Sequence, residues 1–225
     1  MRTRTKVILT ILAILVIAMG AVAVWQWSNL MALHDGLTMD PIAIQEELEE
    51  QQERFDTVMD EYQVPHKEFT QEEIDQLVSG ALSAGEMADS MLQGEKPSNA
   101  QGQQQQENTD PTADVEGAIQ KEIATMYVLR ATYEGKLEAI VQSALDEYAA
   151  NDGSRSREEI VYGKMNELTA LEKECDQQVE EVTSRLRDLL TQAGKDTDLA
   201  DQVEETYQAE KSMKKAYYIQ KFQEG

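Results

Sequence analysis

Residues 156–194, SREEIVYGKMNELTALEKECDQQVEEVTSRLRDLLTQAG, decide the fold class. Ser156 and Glu159 spell a capping box: the hydroxyl accepts from a backbone N–H three residues on, and the carboxylate reaches back to the cap. From there Val161, Leu168, Cys175, Val182 and Leu189 recur every seven residues, which is one face of a long helix. The apolar positions between them, Met165, Leu171, Val179 and Leu186, drift away from a strict coiled-coil seam. Gly194 supplies the left-handed residue that closes such a helix. No segment alternates apolar with polar residues as a strand requires, so the chain reads as all-α.

Working outward, Asn151-Asp152-Gly153-Ser154 is a turn by composition. Before it, Asp114 opens a second long helix that carries Ile119, Ile123, Met126, Tyr133, Leu137, Val141, Leu145 and Tyr148 at helical spacing. Each of these two helices runs about 37 residues, or about 55 Å. After Gly194 a last helix starts near Thr197 and carries Leu199, Val203, Tyr207, Met213, Tyr217 and Phe222. Short connections make consecutive helices antiparallel neighbours, so residues 114–225 are expected to form an elongated, antiparallel, coiled-coil-like three-helix bundle.

Residues 93–113, QGEKPSNAQGQQQQENTDPTA, hold no large apolar side chain. Such a stretch buries too little surface to offset its ordering entropy, and it reads as a disordered Gln-rich linker. Residues 28–92 read as a proximal helical hairpin. Asp40-Pro41 starts its first helix and Val64-Pro65 stops it. Thr70 and Glu73 form a second capping box, with Phe69 placed to staple onto Ile74. One helix is expected from there to Leu92, weakened by Gly80 and Gly85 at about 1 kcal/mol each relative to Ala. The pattern leaves open whether this hairpin stands apart from residues 114–225 or docks on them.

At the N-terminus, Val7 to Trp25 is an unbroken apolar run after Arg2, Arg4 and Lys6, and no Lys or Arg follows until Arg54. About 20 apolar residues cross a bilayer core, and the basic flank stays inside. Residues 7–27 are therefore expected to be a transmembrane signal-anchor, with residues 1–6 cytoplasmic and residues 28–225 outside. Trp25 and Trp27 fall at the outer interface, where such rings prefer to lie. The alternative is secretion after cleavage near Ala23, since Ala21-Val22-Ala23 has the small-residue pattern of a cleavage site. With no Cys near residue 23, lipid attachment to a Cys just after the signal is excluded.

Net charge is −23; outside the three leading bases, 43 acidic residues face 17 basic ones, or −26. A field of that sign repels nucleic acid and anionic lipid headgroups, and suits basic proteins, cations or other helices as partners. The single Cys175 forms no intrachain disulfide and sits at an apolar helix position, as a small buried hydrophobe does. His34 and His66 lack partners at metal-ligand spacing. Asp196, Asp198 and Asp201 lack the Gly and Glu of a calcium loop, so helix capping by Asp196 or Thr197 accounts for them. The acidic run 46–53 reads as a solvated helix face.

Nucleophile motifs, phosphate-binding Gly loops and zinc spacings are absent from the sequence, so no catalytic residue, cofactor or metal ligand is assigned and no small-molecule partner is evident. The exported part has one basic cluster, Lys211, Lys214, Lys215 and Lys221, interleaved with Tyr217, Tyr218 and Phe222. It complements the helix dipole and doubles as the sequence's one candidate docking tract: Lys211, Lys214, Lys215, Tyr217, Tyr218 and Phe222.

Tyr127-Val128-Leu129-Arg130, Leu171-Glu172-x-Glu174-Cys175-Asp176 and Glu210-Lys211-Ser212-Met213-Lys214-Lys215-Ala216-Tyr217-Tyr218 carry a resemblance. The stretch Met126–Tyr218 resembles a recurrent type of exported protein in Gram-positive bacteria that joins a membrane segment to helical coiled-coil regions. The resemblance implies that architecture and no activity. The expected function is thus a membrane-anchored extracytoplasmic scaffold or protein-interaction module, working through a protein partner or self-association. The alternative is a ligand- or cation-binding sensory ectodomain that acts with a membrane partner.

Overall fold

A computed structural model describes residues 38–94, 111–150 and 153–224. Every regular element among them is helical: α1 Pro41–Glu61, α2 Gln71–Ser79, α3 Ala84–Gln93, α4 Pro111–Ala149, α5 Arg157–Gln192 and α6 Asp198–Glu224. No helix among the described residues is long and apolar enough to cross a membrane. The expected anchor, residues 7–27, lies outside the described residues, as does linker stretch 95–110. Two compact units divide the chain, one of Arg54–Glu205 and one of Met1–Glu53 with Thr206–Gly225, so the boundaries fall inside α1 and α6.

The unit Arg54–Glu205 is organised around α4, against which α2, α3 and α5 all pack. Burial along α4 follows from that crowding: Ile119, Ile123, Ala124, Met126, Val128 and Leu129 are covered, and Leu137 is the last buried residue before the helix ends. Methionines fill irregular space here, with Met59, Met87 and Met126 buried on three different helices. Cys175 is buried too, as its apolar position predicts.

The α4–α5 pair is an antiparallel hairpin, and its register is written in cross-helix polar pairs. Glu116 meets Lys195 at 2.9 Å, Glu122 meets Arg185 at 3.0 Å, Glu174 meets Lys136 at 2.6 Å, and the Lys164 ammonium donates to the Ser143 hydroxyl at 2.9 Å. At the far end Arg155 pairs with Glu147. Lower numbers on α4 oppose higher numbers on α5 at each rung, as a hairpin demands.

The heptad reading of α5 needs correction. From Leu171 onward its buried apolar positions are Leu171, Cys175, Val179, Val182, Leu186 and Leu190, at successive spacings of four, four, three, four and four; Thr183 is buried beside them and Ile160 near the start of the helix. Leu168 and Leu189 are only half-buried, and the Val161 side chain lies outside the described residues. The mixed spacing spreads burial over a broad stripe, as on helices that face a globular core, rather than along a narrow coiled-coil seam.

The single helix expected over 74–92 is in fact two. Gly80 takes a left-handed conformation (φ 73°) and donates its N–H to the Leu77 carbonyl, which closes α2. Ser83 then opens α3 with its own capping box to Glu86. The S-x-x-E spacing was in the sequence; Gly80 acts as a terminator, not as a weak point. α1 ends in a Schellman motif, with the Val64 N–H on the Met59 carbonyl at 2.8 Å and the Gln63 N–H on the Asp60 carbonyl at 3.1 Å. It places Gln63 at φ 56°, where glycine is the usual occupant. α4 begins at Pro111, ahead of the expected Asp114.

Candidate interaction surface

The basic and aromatic tract singled out in the sequence lies on α6 and is less exposed than its composition implies. Lys211 is buried, its ammonium 5.5 Å from the centre of the Tyr207 ring. Lys214 and Lys215 are half-buried, and Ala216 between them and the tyrosines is fully buried. Tyr217 and Tyr218 are half-buried and stack edge to face at 5.4 Å. The side chains of Lys221 and Phe222 lie outside the described residues. The structure therefore brings together Lys211 with Tyr207 and Tyr217 with Tyr218, on a helix face that is partly covered.

The remaining sequence candidates resolve into local chemistry. His66 is 45% exposed and lies 2.9 Å from Asp60 and 3.7 Å from Asp56, one helical turn apart on α1. Asp196 accepts the Asp198 N–H at 3.1 Å, which is the expected capping role. A hydrogen bond to Asp196 and its negative charge push the Asp198 carboxyl up. Asp201 and Glu204 instead hold Arg187, at 2.8 and 2.7 Å. Among the described residues no group of three or more His, Cys, Asp or Glu side chains is placed to hold a metal ion. Glu46, Glu49, Glu50 and Glu53 are exposed, as a solvated face requires.

One cluster escaped the sequence reading because its members lie far apart in the chain. The connector between α1 and α2 is pinned from several sides. Lys67 pairs with Glu73 at 2.7 Å, and its ammonium stands 5.9 Å over the Phe69 ring. Phe69 in turn stacks on Tyr127 at 5.5 Å, and the Tyr127 hydroxyl donates to the Lys67 carbonyl at 2.7 Å. Gln120 donates to the Tyr62 carbonyl at 2.9 Å. Partial burial raises the Glu73 carboxyl, but Lys67 and the Thr70 N–H and hydroxyl outweigh it, so it ionises below the ordinary glutamate value. These are the contacts of a rigid joint.

A second surface is the free end of the α4–α5 hairpin. Beyond Leu137 no residue of α4 is buried, although Ile140, Val141, Ala144, Leu145 and Tyr148 continue the apolar pattern. Leu145 is 53% exposed and Tyr148 45%. Its cause is architectural: α2 and α3 are short, and past their reach α5 is the element among the described residues that packs on α4. Exposed large apolar groups in a row mark interaction sites on soluble surfaces. Sequence periodicity identified these residues as an apolar face; it could not tell that the face outruns its cover.

Compared with known protein families, curated proteins and solved structures, the chain matches none.

Proposed function

We propose that the chain is a membrane-anchored helical scaffold or protein-interaction module that acts on the extracytoplasmic side. Residues 7–27 are its single-pass anchor and the helices that follow are its working part. The observation that carries the interaction role is the half-exposed apolar row Val141, Leu145 and Tyr148 on α4. The apolar run with its basic flank supports the anchor.

Crosslinking and affinity capture of the full-length protein from its native membranes test the reading. The control carries residues 1–30 fused to an inert domain. A stoichiometric protein held by the real chain and missing from the control is the expected result. Capture that the control reproduces in full would sink the interaction role. Fractionation of the mature protein away from membranes, with loss of the first 23 residues or so, would remove the anchor. Stabilisation of residues 28–225 by a small molecule or cation, with no captured protein, would favour a sensory role instead.

A further inference from the structure

We infer that the free end of the α4–α5 hairpin receives an amphipathic helix with basic flanks from another protein, laid along the row Val141, Leu145 and Tyr148. The inference rests on the interaction role proposed above and narrows it to a site and a partner chemistry. Its first support is exposure: three apolar side chains at helical spacing lie on one face and none is buried. An amphipathic helix buries such a row through its own residues at i, i+3, i+4 and i+7.

The second support is charge. Beside the apolar row runs the neighbouring ridge of α4, Glu138, Gln142 and Asp146, spaced four apart. Glu138 and Asp146 are exposed, and Gln142 donates to Asp146 at 2.8 Å. Three of the hairpin's nearby bases are engaged by other groups. Lys136 pairs with Glu174, Arg155 with Glu147, and Lys164 with Ser143 and Glu167. Lys136, Arg155 and Lys164 are thus held by partners, and Glu138 and Asp146 form an acidic rim along the open face. Two copies meeting through this same face would set the same acids against each other, which costs energy, whereas Lys or Arg flanks would be drawn in.

The test uses the full-length protein in nanodiscs of zwitterionic lipid, with the anchor fused to an inert domain as the blank. Three labelled model peptides are titrated: a leucine-striped helix with Lys flanks, the same stripe with Glu flanks, and a scrambled Lys peptide. Binding of the Lys-flanked peptide alone, weakened at least about tenfold by Leu145→Asp, is the expected result. The double reversal Glu138→Lys with Asp146→Lys should move preference toward the Glu-flanked peptide. Both are exposed positions, and unchanged helicity by circular dichroism shows that the variants fold. Equal binding of Lys- and Glu-flanked peptides would overturn the charge argument. Binding that survives Leu145→Asp would overturn the site, and so would copy-to-copy crosslinks at Leu145 without peptide. If no peptide binds while membrane capture still finds a partner, the site assignment falls and the interaction role stands.

Discussion

The Tyr127 hydroxyl, on the central helix, donates to the backbone carbonyl of Lys67 at 2.7 Å, tying α4 to a connector 60 residues earlier. The bond fixes the direction in which the chain leaves α1 and enters α2, because the same Lys67 holds Glu73 at the start of α2. Removing only the hydroxyl isolates its contribution. Tyr127→Phe keeps the stacking on Phe69 and is expected to cost about 1 kcal/mol. Thermal unfolding should shift down by about 2–4 °C, with the helical signal at low temperature unchanged.

At Gly135, side chains of α2 press directly on the surface of α4. A Cβ added there would lie 2.8 Å from Ile74 Cγ2 and 3.0 Å from Val78 Cγ2, too near for either methyl to stay in place. Gly135→Ala should therefore destabilise: overpacking costs about 1–3 kcal/mol, against about 1 kcal/mol gained in helix propensity. Gly117, on the same helix, meets nothing within 4 Å. Gly117→Ala should show the propensity gain alone, up to about 1 kcal/mol of stabilisation. Urea midpoints that move in the same direction for both variants would refute the close approach of α2.

Gln63 closes α1 in a conformation that L side chains adopt at a cost of about 1–2 kcal/mol. Gln63→Gly should raise stability, by about 0.5–1 kcal/mol once the extra freedom of glycine in the unfolded chain is deducted. Gly80, left-handed at the end of α2, should respond oppositely. Gly80→Ala is expected to lower the urea midpoint although no neighbouring atom obstructs the added methyl.

Glu73 gives stability a pH dependence whose sign follows from its environment. Its folded carboxyl ionises below the ordinary value of 4.5, so the folded state binds that proton more weakly than the unfolded state does. The contribution is complete above about pH 4.5 and is lost as pH falls through the lower, folded value. Glu73→Gln should thus be less stable than the native chain at neutral pH, and the difference should shrink as pH drops to about 3. A gap between the two urea midpoints that stays constant over this range would show that the Lys67–Glu73 pair does not form.

What the sequence made legible follows from which interactions are local. The capping boxes at Thr70 and Ser156 and the left-handed Gly194 rest on neighbours within a few residues, and all three hold. Ser83 obeys the same local rule and was masked by an apolar pattern that ran on through the break. The all-α class followed from periodicity. The docking of α2 and α3 on α4 did not, because it depends on Gly135 and on partners such as Asp89 and Lys121, paired at 2.7 Å across 32 residues. The docking tract on α6 was read from its basic and aromatic composition, and composition does not report that Lys211 is buried. The open end of the hairpin was hidden for a related reason. Val141 and Leu145 carry the same signal as Leu137, and only the finite length of α2 and α3 separates them.

The ladder of cross-helix pairs also sets how the hairpin bears load. Both chain ends of the α4–α5 hairpin leave from the same side, near Glu116 and Lys195, while the turn lies at the other. Tension between those ends would act on the Glu116–Lys195 rung first, then on Glu122–Arg185, then on Lys136–Glu174, one at a time. Such a hairpin unzips under pulling instead of shearing, yielding by small extensions at low force, and it re-forms in the same register because each rung specifies its partner.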